Sequence, residues 1–151
     1  MHRYYFVLLN LRNHLQKPTQ MKNHFNITRD YLLELNFNIV KENRADGIMV
    51  VEKEDFGIKN LILGVSPPIL IMEQFIFSVH NQSEKIFRNL LQKNRDIIHG
   101  AFVLDETANR VIFRDTLQIE NMDLNEFEAS LNSLSLLMSE YSDQIIEFSK
   151  Y

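Results

Sequence analysis

An apolar seam near the end of the chain constrains the fold more than any other feature of the sequence. Apolar residues recur there at alternating intervals of three and four, at Leu124, Phe127, Leu131, Leu134, Met138, Tyr141, Ile145 and Phe148. This spacing aligns them along one face of an α-helix. Asp123 lies directly before the seam and Glu126 follows three residues later, which is the pattern of a capping box. The sequence therefore predicts one long helix from about Asp123 to Phe148.

The polar face of this helix carries a single sign of charge. Its charged side chains are all acids, namely Asp123, Glu126, Glu128, Glu140, Asp143 and Glu147. We expect the seam to anchor the helix along a sheet and the carboxylates to form a negative surface outside. The alternative is a coiled-coil seam that binds a partner helix, but Leu136 and Leu137 widen the apolar stripe beyond the two positions that a coiled coil uses.

The rest of the chain alternates between turn signals and apolar segments. A first helix is predicted at about 21–36, and a second begins near Asn81 or Ser83 and ends near Asn94. Strand patterns cover 37–42, 48–54, 58–65, 69–77, 97–104 and 110–118, and Ser66-Pro67-Pro68 is interpreted as an interruption within the third strand. Because hairpins outnumber strand–helix–strand units, the predicted fold class is α+β, a mostly antiparallel five-stranded sheet with three helices in the order α-βββ-α-ββ-α.

The segment Ile69–Phe77 is the most apolar of the predicted strands. Both of its faces are largely apolar, which predicts a central strand that is covered on both sides. Glu73 interrupts the apolar run. We expect this side chain to point outward or to pair with an arginine such as Arg114, and a polar contact in a client or dimer interface is the alternative.

The residues that catalysis and metal binding require are missing or scattered. The chain has no cysteine, which excludes disulfides, thiolate metal sites and a cysteine nucleophile and fits the cytoplasm, which is the predicted location. None of the five histidines is spaced i, i+4 with another on a plausible helix, and the chain contains no phosphate-binding or nucleophile motif. We therefore predict that the protein is not an enzyme and that it has no catalytic, metal-binding or cofactor-binding residues.

Charge divides the chain into a short basic start and an acidic body. Residues 1–20 contain Arg3, Arg12 and Lys17 and no acid, whereas residues 21–151 contain 13 basic and 20 acidic side chains. An acidic body is unsuited to phosphate contacts, so no nucleic-acid partner is predicted. No stretch approaches the roughly 18 apolar residues of a membrane span, so no span is predicted either.

The basic start has three interpretations. It is an additional short helix that ends before Pro18, a membrane-surface or interaction arm, or a product of start-site choice ahead of a native start at Met21. We favour the last, because the charge changes there and Met21 opens a helical pattern. The predicted organisation is an N-terminal extension at 1–20, outside the native core, and a single α+β domain at 21–151.

Three segments carry a resemblance to a known family. They are the apolar strand Ile69–Phe77, the segment Gly100–Asp105, and the passage from Phe113–Leu117 to Asp123–Phe127. Together with the order of elements over about 21–150, they resemble the type III secretion class I chaperones of the Tir chaperone family and the related YbjN-like bacterial proteins. The resemblance implies a chaperone-like homodimer that binds an extended segment of a client protein without ATP.

The resemblance also implies where partners bind. The middle helix lies at or near the dimer contact in such chaperones, so the predicted dimer residues are Ile86, Phe87, Leu90 and Leu91. The resemblance further implies that client segments lie across apolar patches of the helix–sheet surface, partly by pairing with an exposed strand edge. From the charges of the sequence itself, the predicted client surface consists of Glu73 and, on the closing helix, Glu128, Glu140 and Glu147, where a basic client segment is expected. The alternatives are a YbjN-like regulatory domain without chaperone activity and a small ligand-binding protein with a pocket beneath the last helix.

Overall fold

The computed structural model describes residues 18–80 and 84–150, with side chains described from residue 23 onward. Its helices are α1 (Pro18–Glu34), α2 (Glu84–Asn94), α3 (Leu124–Glu140) and α4 (Ser142–Phe148). Its strands are β1 (Asn38–Asn43), β2 (Ile48–Lys53), β3 (Ile58–Ser66), β4 (Ile69–Ser78), β5 (Ala101–Leu104) and β6 (Arg110–Gln118), with a short 3-10 helix (Glu54–Phe56) between β2 and β3. The predicted short helix before Pro18 and the candidate caps Asn81 and Ser83 lie outside the described residues.

The strands form one six-stranded antiparallel sheet in the order β1-β2-β3-β4-β6-β5. The α+β class and the central position of Ile69–Phe77 are confirmed, because β4 lies between β3 and β6. The prediction of five strands is wrong. Ser66 pairs with Ile69 across a turn at Pro67-Pro68, so the two prolines reverse the chain between separate strands and do not interrupt a single one. Proline suits this turn because it has no N–H to leave unpaired.

Helix α1 begins earlier than predicted, at Pro18. Proline is well suited to this position, because the N–H groups of the first helical turn have no partner within the helix and proline has no N–H. Its apolar face buries Phe25 and Leu32. The helix ends at Glu34. Asn36, two residues later, has a φ of 59°, and the Phe37 N–H donates to the Leu32 carbonyl at 2.8 Å. A left-handed residue followed by such a backward hydrogen bond is a common way to end a helix.

The hydrophobic core lies between one face of the sheet and the four helices of the described chain. It contains side chains from every helix and from the central strands, among them Phe25, Leu32, Met72, Ile86, Leu90, Phe113, Phe127, Leu131 and Phe148. Burying one such side chain completely contributes about 1.5–3 kcal/mol. The hydroxyl of Ser130, which is fully buried on α3, donates to the Asp115 carboxylate on β6, so a polar contact also ties this helix to the sheet.

The start of the closing helix agrees with the sequence. Asp123 adopts an extended conformation directly before α3, and its Oδ1 accepts a hydrogen bond from the Glu126 N–H at 2.8 Å. The predicted N-cap is therefore confirmed, and it satisfies one of the N–H groups that a first helical turn leaves without a partner.

The prediction of one continuous closing helix is wrong, because Tyr141 separates α3 from α4 with φ −106° and ψ 10°. The Ser142 hydroxyl donates to the Ser139 carbonyl at 3.2 Å, so a side chain competes for backbone groups at the bend. The bend directs Phe148 onto Phe77, with ring centroids 6.2 Å apart. Packing at the end of α4 thus favours two helix segments over a straight one.

Strand β5 is shorter than the predicted strand 97–104, because Gly100, the residue directly before it, adopts a left-handed conformation. Gly100 has a φ of 79°, and a Cβ at this position would lie 2.3 Å from the Phe113 ring. The loop before it is fixed to α3, since the Ser133 hydroxyl donates to the His99 carbonyl at 2.9 Å. Pairing with β6 therefore begins at Ala101.

Candidate functional site

The face of the sheet turned away from the helices has an apolar surface of its own, which we call the open face. Paired residues on antiparallel strands direct their side chains to the same face. Three rows of paired residues build this surface, namely Val50, Ile62, Glu73, Arg114 and Ala101 in the first row, Ile48, Gly64, Ile71 and Thr116 in the second, and Phe75, Ile112 and Val103 in the third.

The described helices cover only the other face. Their buried apolar side chains all belong to the core, whereas Ile48, Ile71 and Ile112 are buried on the open face and are not part of that core. Ile71 is only 2% exposed, in agreement with the predicted burial of both faces of β4, but the helices of residues 18–80 and 84–150 cover only one of these faces. The second apolar face of β4 packs against no helix in this part of the chain.

Exposure differs sharply among the side chains of the open face. Ile71 and Ile112 are 2% and 5% exposed, whereas Phe75, on the same strand as Ile71 and opposite Ile112, is 50% exposed. The half-exposed phenyl ring beside these buried isoleucines is an apolar contact that this face offers to a partner. Sequence reasoning missed Phe75, although its position two residues after Glu73 was an available signal, because residues i and i+2 of a strand share a face.

Glu73 and Arg114 form an ion pair in the middle of the open face, and the predicted pairing is confirmed. The two residues lie opposite each other on β4 and β6, and Arg114 Nη1 donates to Glu73 Oε1. Their side chains are 13% and 29% exposed, respectively. Burial raises the pKa of Glu73 above its ordinary value, and the adjacent Arg114 guanidinium opposes this rise. The open face thus contains an oriented, partly desolvated pair of charges among its apolar side chains.

The residues predicted for the dimer contact divide between the core and the surface. Ile86 and Leu90 are buried in the core of their own protomer, Phe87 is partly buried against that core, and Leu91 is 71% exposed. Burial leaves Ile86 and Leu90 little surface for a partner. The dimer contact stays a prediction, and Phe87 and Leu91 are the two of its four residues whose side chains keep exposed surface on α2.

Two further apolar side chains are exposed at the edge of the sheet that α2 adjoins. Ile98, in the loop after α2, is 87% exposed, and Leu104, on the edge strand β5, is 40% exposed. We group these two residues with the exposed Leu91 of α2 under the name β5-edge patch. Sequence reasoning missed Ile98 and Leu104 because it placed both within one strand, 97–104, in which apolar residues are expected to be buried.

The four carboxylates predicted to contact a client do not lie on one surface. Glu73 is on the open face, whereas Glu128 and Glu140 are on α3 and Glu147 is on α4, over the opposite face. Glu147 lines a cavity of about 410 Å³ between α2 and α4, together with Lys85, Asn89, Gln92, Lys93, Asp96, Gln144 and Phe148. Since Phe148 alone among these residues is apolar, the cavity differs from the mostly apolar pocket that the ligand-binding alternative requires.

Metal ligands are not clustered in the part of the chain that the structure describes. Within residues 18–80 and 84–150, no group of three or more His, Asp or Glu side chains could hold a metal ion. Over the same residues, no buried side-chain nitrogen or oxygen is without a hydrogen-bond partner. None of the described helices is both long and apolar enough to span a membrane.

Comparison with known proteins places this fold among solved structures. The chain is similar to YbjN from E. coli, a putative transcription regulator, with a TM-score of 0.60 and 10% identity over 79% of this chain and 91% of that chain. It is similar to a chain of the HopA1–SchA chaperone–effector complex, with a TM-score of 0.57 and 12% identity over 87% and 98% of the two chains.

A further likeness is to a chain of the Yersinia pestis type III secretion chaperone SycH in complex with a fragment of YscM2, with a TM-score of 0.52 and 15% identity over 83% and 99%. At these identities the likeness is one of fold. No curated protein matches the sequence.

A six-stranded antiparallel sheet with helices on one face and a second apolar face is thus a chaperone-like α+β fold. The sequence model of the CesT_Tir_1 family matches residues 21–151. The chain therefore belongs to this family of type III chaperones. The predicted resemblance to the Tir chaperone family and to YbjN-like proteins is confirmed.

Proposed function

We propose that the protein is a non-catalytic, chaperone-like binding module of the cytoplasm that forms a homodimer and binds an extended segment of a client polypeptide. The observation that carries the proposal is the open face, an apolar sheet surface with the half-exposed Phe75. Membership of the CesT_Tir_1 family supports it. Two proteins of similar fold support it as well, since one is held in a chaperone–effector complex and the other with a fragment of YscM2.

An extended segment matches the geometry of the open face. Side chains of a strand alternate between two sides, so every second residue of such a segment would contact the rows of the open face. Phe75 offers an aromatic contact, and the Glu73–Arg114 pair offers a polar one that favours a particular register of the segment. The expected client segment therefore has apolar residues at alternate positions and a polar residue opposite the ion pair.

Position-specific cross-linking tests the client surface. A photoreactive amino acid in place of Phe75 or of Val103 should capture the same polypeptide from both positions when the full-length protein is expressed in its native cells. The same amino acid in place of Leu136 is the control, because Leu136 is 56% exposed but lies on α3, over the other face. If neither open-face position gives an adduct, or if the control position gives the same adduct, the open face is not the client surface.

Light scattering of the purified full-length chain tests the homodimer. If the β5-edge patch holds the dimer together, Leu91→Ser and Ile98→Ser should shift the mass toward that of a monomer at micromolar concentration. Leu33→Ser is the control, since Leu33 is 47% exposed on α1, away from this patch. A wild-type chain that is monomeric throughout this range contradicts the dimer.

The acidic side of α3 and α4 is a second contact within this proposal. A basic client segment is expected there, because opposite charges steer association. Replacing Glu128, Glu140 and Glu147 together by glutamine should slow client binding at low salt and have little effect at high salt. Client binding that is unchanged at low salt rules out this contact.

A regulatory domain without chaperone activity is the second candidate. The likeness to YbjN, a putative transcription regulator, favours it, with a TM-score of 0.60 over 91% of that chain. Such a domain would bind a folded partner and not an extended segment. Cross-linked peptides from one continuous stretch of a partner support the chaperone, whereas peptides scattered over a folded surface support the regulatory domain.

A further inference from the structure

Asn94, the last residue of α2, forms two hydrogen bonds with the backbone of Phe102 in β5. Its Nδ2 donates to the Phe102 carbonyl at 3.0 Å, and its Oδ1 accepts from the Phe102 N–H at 2.7 Å. A residue of a neighbouring antiparallel strand makes the same pair of bonds with its partner. The carboxamide of Asn94 thus occupies the place of an additional strand beside β5.

Few other backbone groups are available at the outer edge of β5. The N–H and C=O of Phe102 form hydrogen bonds with Asn94, so they point away from β6. In a strand, the backbone groups of residues two positions apart point in the same direction. Asp105, three residues on, directs its N–H inward to the Arg110 carbonyl at 3.0 Å, in agreement with this alternation. Leu104 is therefore the other residue of β5 with outward-pointing backbone groups.

We infer that Asn94 closes the β5 edge to strand addition, so that a second copy of the chain docks there through side chains alone. An uncovered edge would allow β5 of two copies to pair and to join the two sheets, which is a common route of association between sheet proteins. The side chains that remain for contact are those of the β5-edge patch, at Leu91, Ile98 and Leu104. The choice of a second copy rests on the proposed homodimer, whereas the closure rests on the two bonds of Asn94.

Hydrogen exchange in dilute solution tests the closure on the full-length protein. Asn94→Ala removes both bonds, so the Phe102 amide should exchange roughly fivefold to tenfold faster, as the loss of one hydrogen bond implies. Asn94→Asp keeps an acceptor for this amide and should leave it protected. This second variant keeps the test possible if the alanine variant does not fold. Asn89→Ala, on the same helix, should leave Phe102 unchanged. Equal protection of Phe102 in the alanine variant and the wild type overturns the closure.

The mode of docking is tested at higher concentration with mixed isotope labelling. In the wild-type dimer, inter-protomer nuclear Overhauser contacts should join side chains of the β5-edge patch and should not join the β5 backbones. In Asn94→Ala, light scattering should detect species larger than the wild type, with backbone contacts between β5 strands. Backbone contacts in the wild type, or an alanine variant that frees the Phe102 amide without associating, overturn the inference. A wild type that stays monomeric overturns the proposed homodimer and the docking mode. The closure by Asn94 is tested independently of this result, by the exchange rate of the Phe102 amide in dilute solution.

Discussion

Both faces of the sheet are apolar, but the described helices seal only one of them. On the covered face, Phe113 and Leu117 of β6 are at most 5% exposed and belong to the core that α3 completes. On the open face, Phe75 is half exposed beside buried isoleucines. An apolar pattern on both faces of a strand therefore predicts two surfaces that are removed from water, but it does not indicate what covers each of them.

The two faces also place charge differently. On the covered face, Asp115 accepts a hydrogen bond from the hydroxyl of Ser130, a neutral partner within the same protomer. On the open face, Glu73 and Arg114 face each other in a partly desolvated ion pair. Desolvating two charges offsets much of their attraction, so this pair adds little to the net free energy of folding.

Removing an aromatic ring from the covered face should have the largest effect on stability. Phe127 is fully buried on α3, and its ring centroid lies 6.1 Å from that of Tyr31. Phe127→Ala should lower the free energy of unfolding by about 3–5 kcal/mol, as measured by urea denaturation. Leu136→Ala, on the exposed side of the same helix, should change it by less than about 1 kcal/mol. Equal losses in the two variants would contradict the packing of α3 on this face.

Breaking the ion pair of the open face should have an intermediate and asymmetric effect. Arg114→Met leaves the buried Glu73 carboxylate without its partner and should lower the free energy of unfolding at neutral pH by about 1–3 kcal/mol. Glu73→Gln should cost less, because the Arg114 side chain is the more exposed of the two and keeps more of its water. Urea denaturation of both variants measures the order, and the reverse order would show that Arg114 is the buried partner.

The stability that Glu73 contributes should depend on pH. Burial raises the pKa of this carboxyl and outweighs the opposing effect of Arg114. A carboxyl with a higher pKa in the folded state stabilises the fold below its ordinary pKa, and this contribution is lost as the pH rises through the raised value. The free energy of unfolding of the wild type minus that of Glu73→Gln should therefore fall as the pH rises from about 4 to about 6. A difference that grows over this interval would mean that Arg114 has the stronger effect on the pKa of Glu73.

Phe75→Ser should have a smaller effect on stability than Phe127→Ala and the clearest effect on binding. A half-exposed ring buries about half of its area on folding, so the free energy of unfolding should fall by about 1–2 kcal/mol, less than for Phe127→Ala. Cross-linking of the client from Val103 should nevertheless fall at least about tenfold, as expected for an aromatic contact residue. Leu33→Ser on α1 is the matched control for loss of an exposed apolar side chain. If cross-linking from Val103 is unchanged in Phe75→Ser, the client does not bind at the open face.

Local signals were sufficient to predict some elements from the sequence. The cap at Asp123 needs only the residues of one helical turn, and it is present. The bounds predicted for 110–118 match β6 because its alternation is continuous over the whole strand. Within the candidate site, the pair of Glu73 with Arg114 was predictable, since a lone acid in an apolar strand requires a partner.

Features that depend on distant contacts were not predictable in this way. The apolar seam continues through Tyr141 without a break, whereas the bend there follows from the packing of Phe148 on Phe77. Pro67-Pro68 indicates that strand pairing stops, but not that the chain reverses. The exposure of Phe75 depends on the registers of the neighbouring strands, which no single segment of the sequence encodes.

The bend at Tyr141 leaves the last helix held to the domain by very little. Among the seven residues of α4, Phe148 is the one with a fully buried side chain, and Ile145 is partly buried against the core. A segment attached in this way opens at a lower free energy than the domain as a whole. Opening would withdraw Phe148 from Phe77 and remove one wall of the cavity beside α2, while the sheet stays intact. We therefore expect α4 to open separately from the sheet, next to the helix that flanks the β5-edge patch.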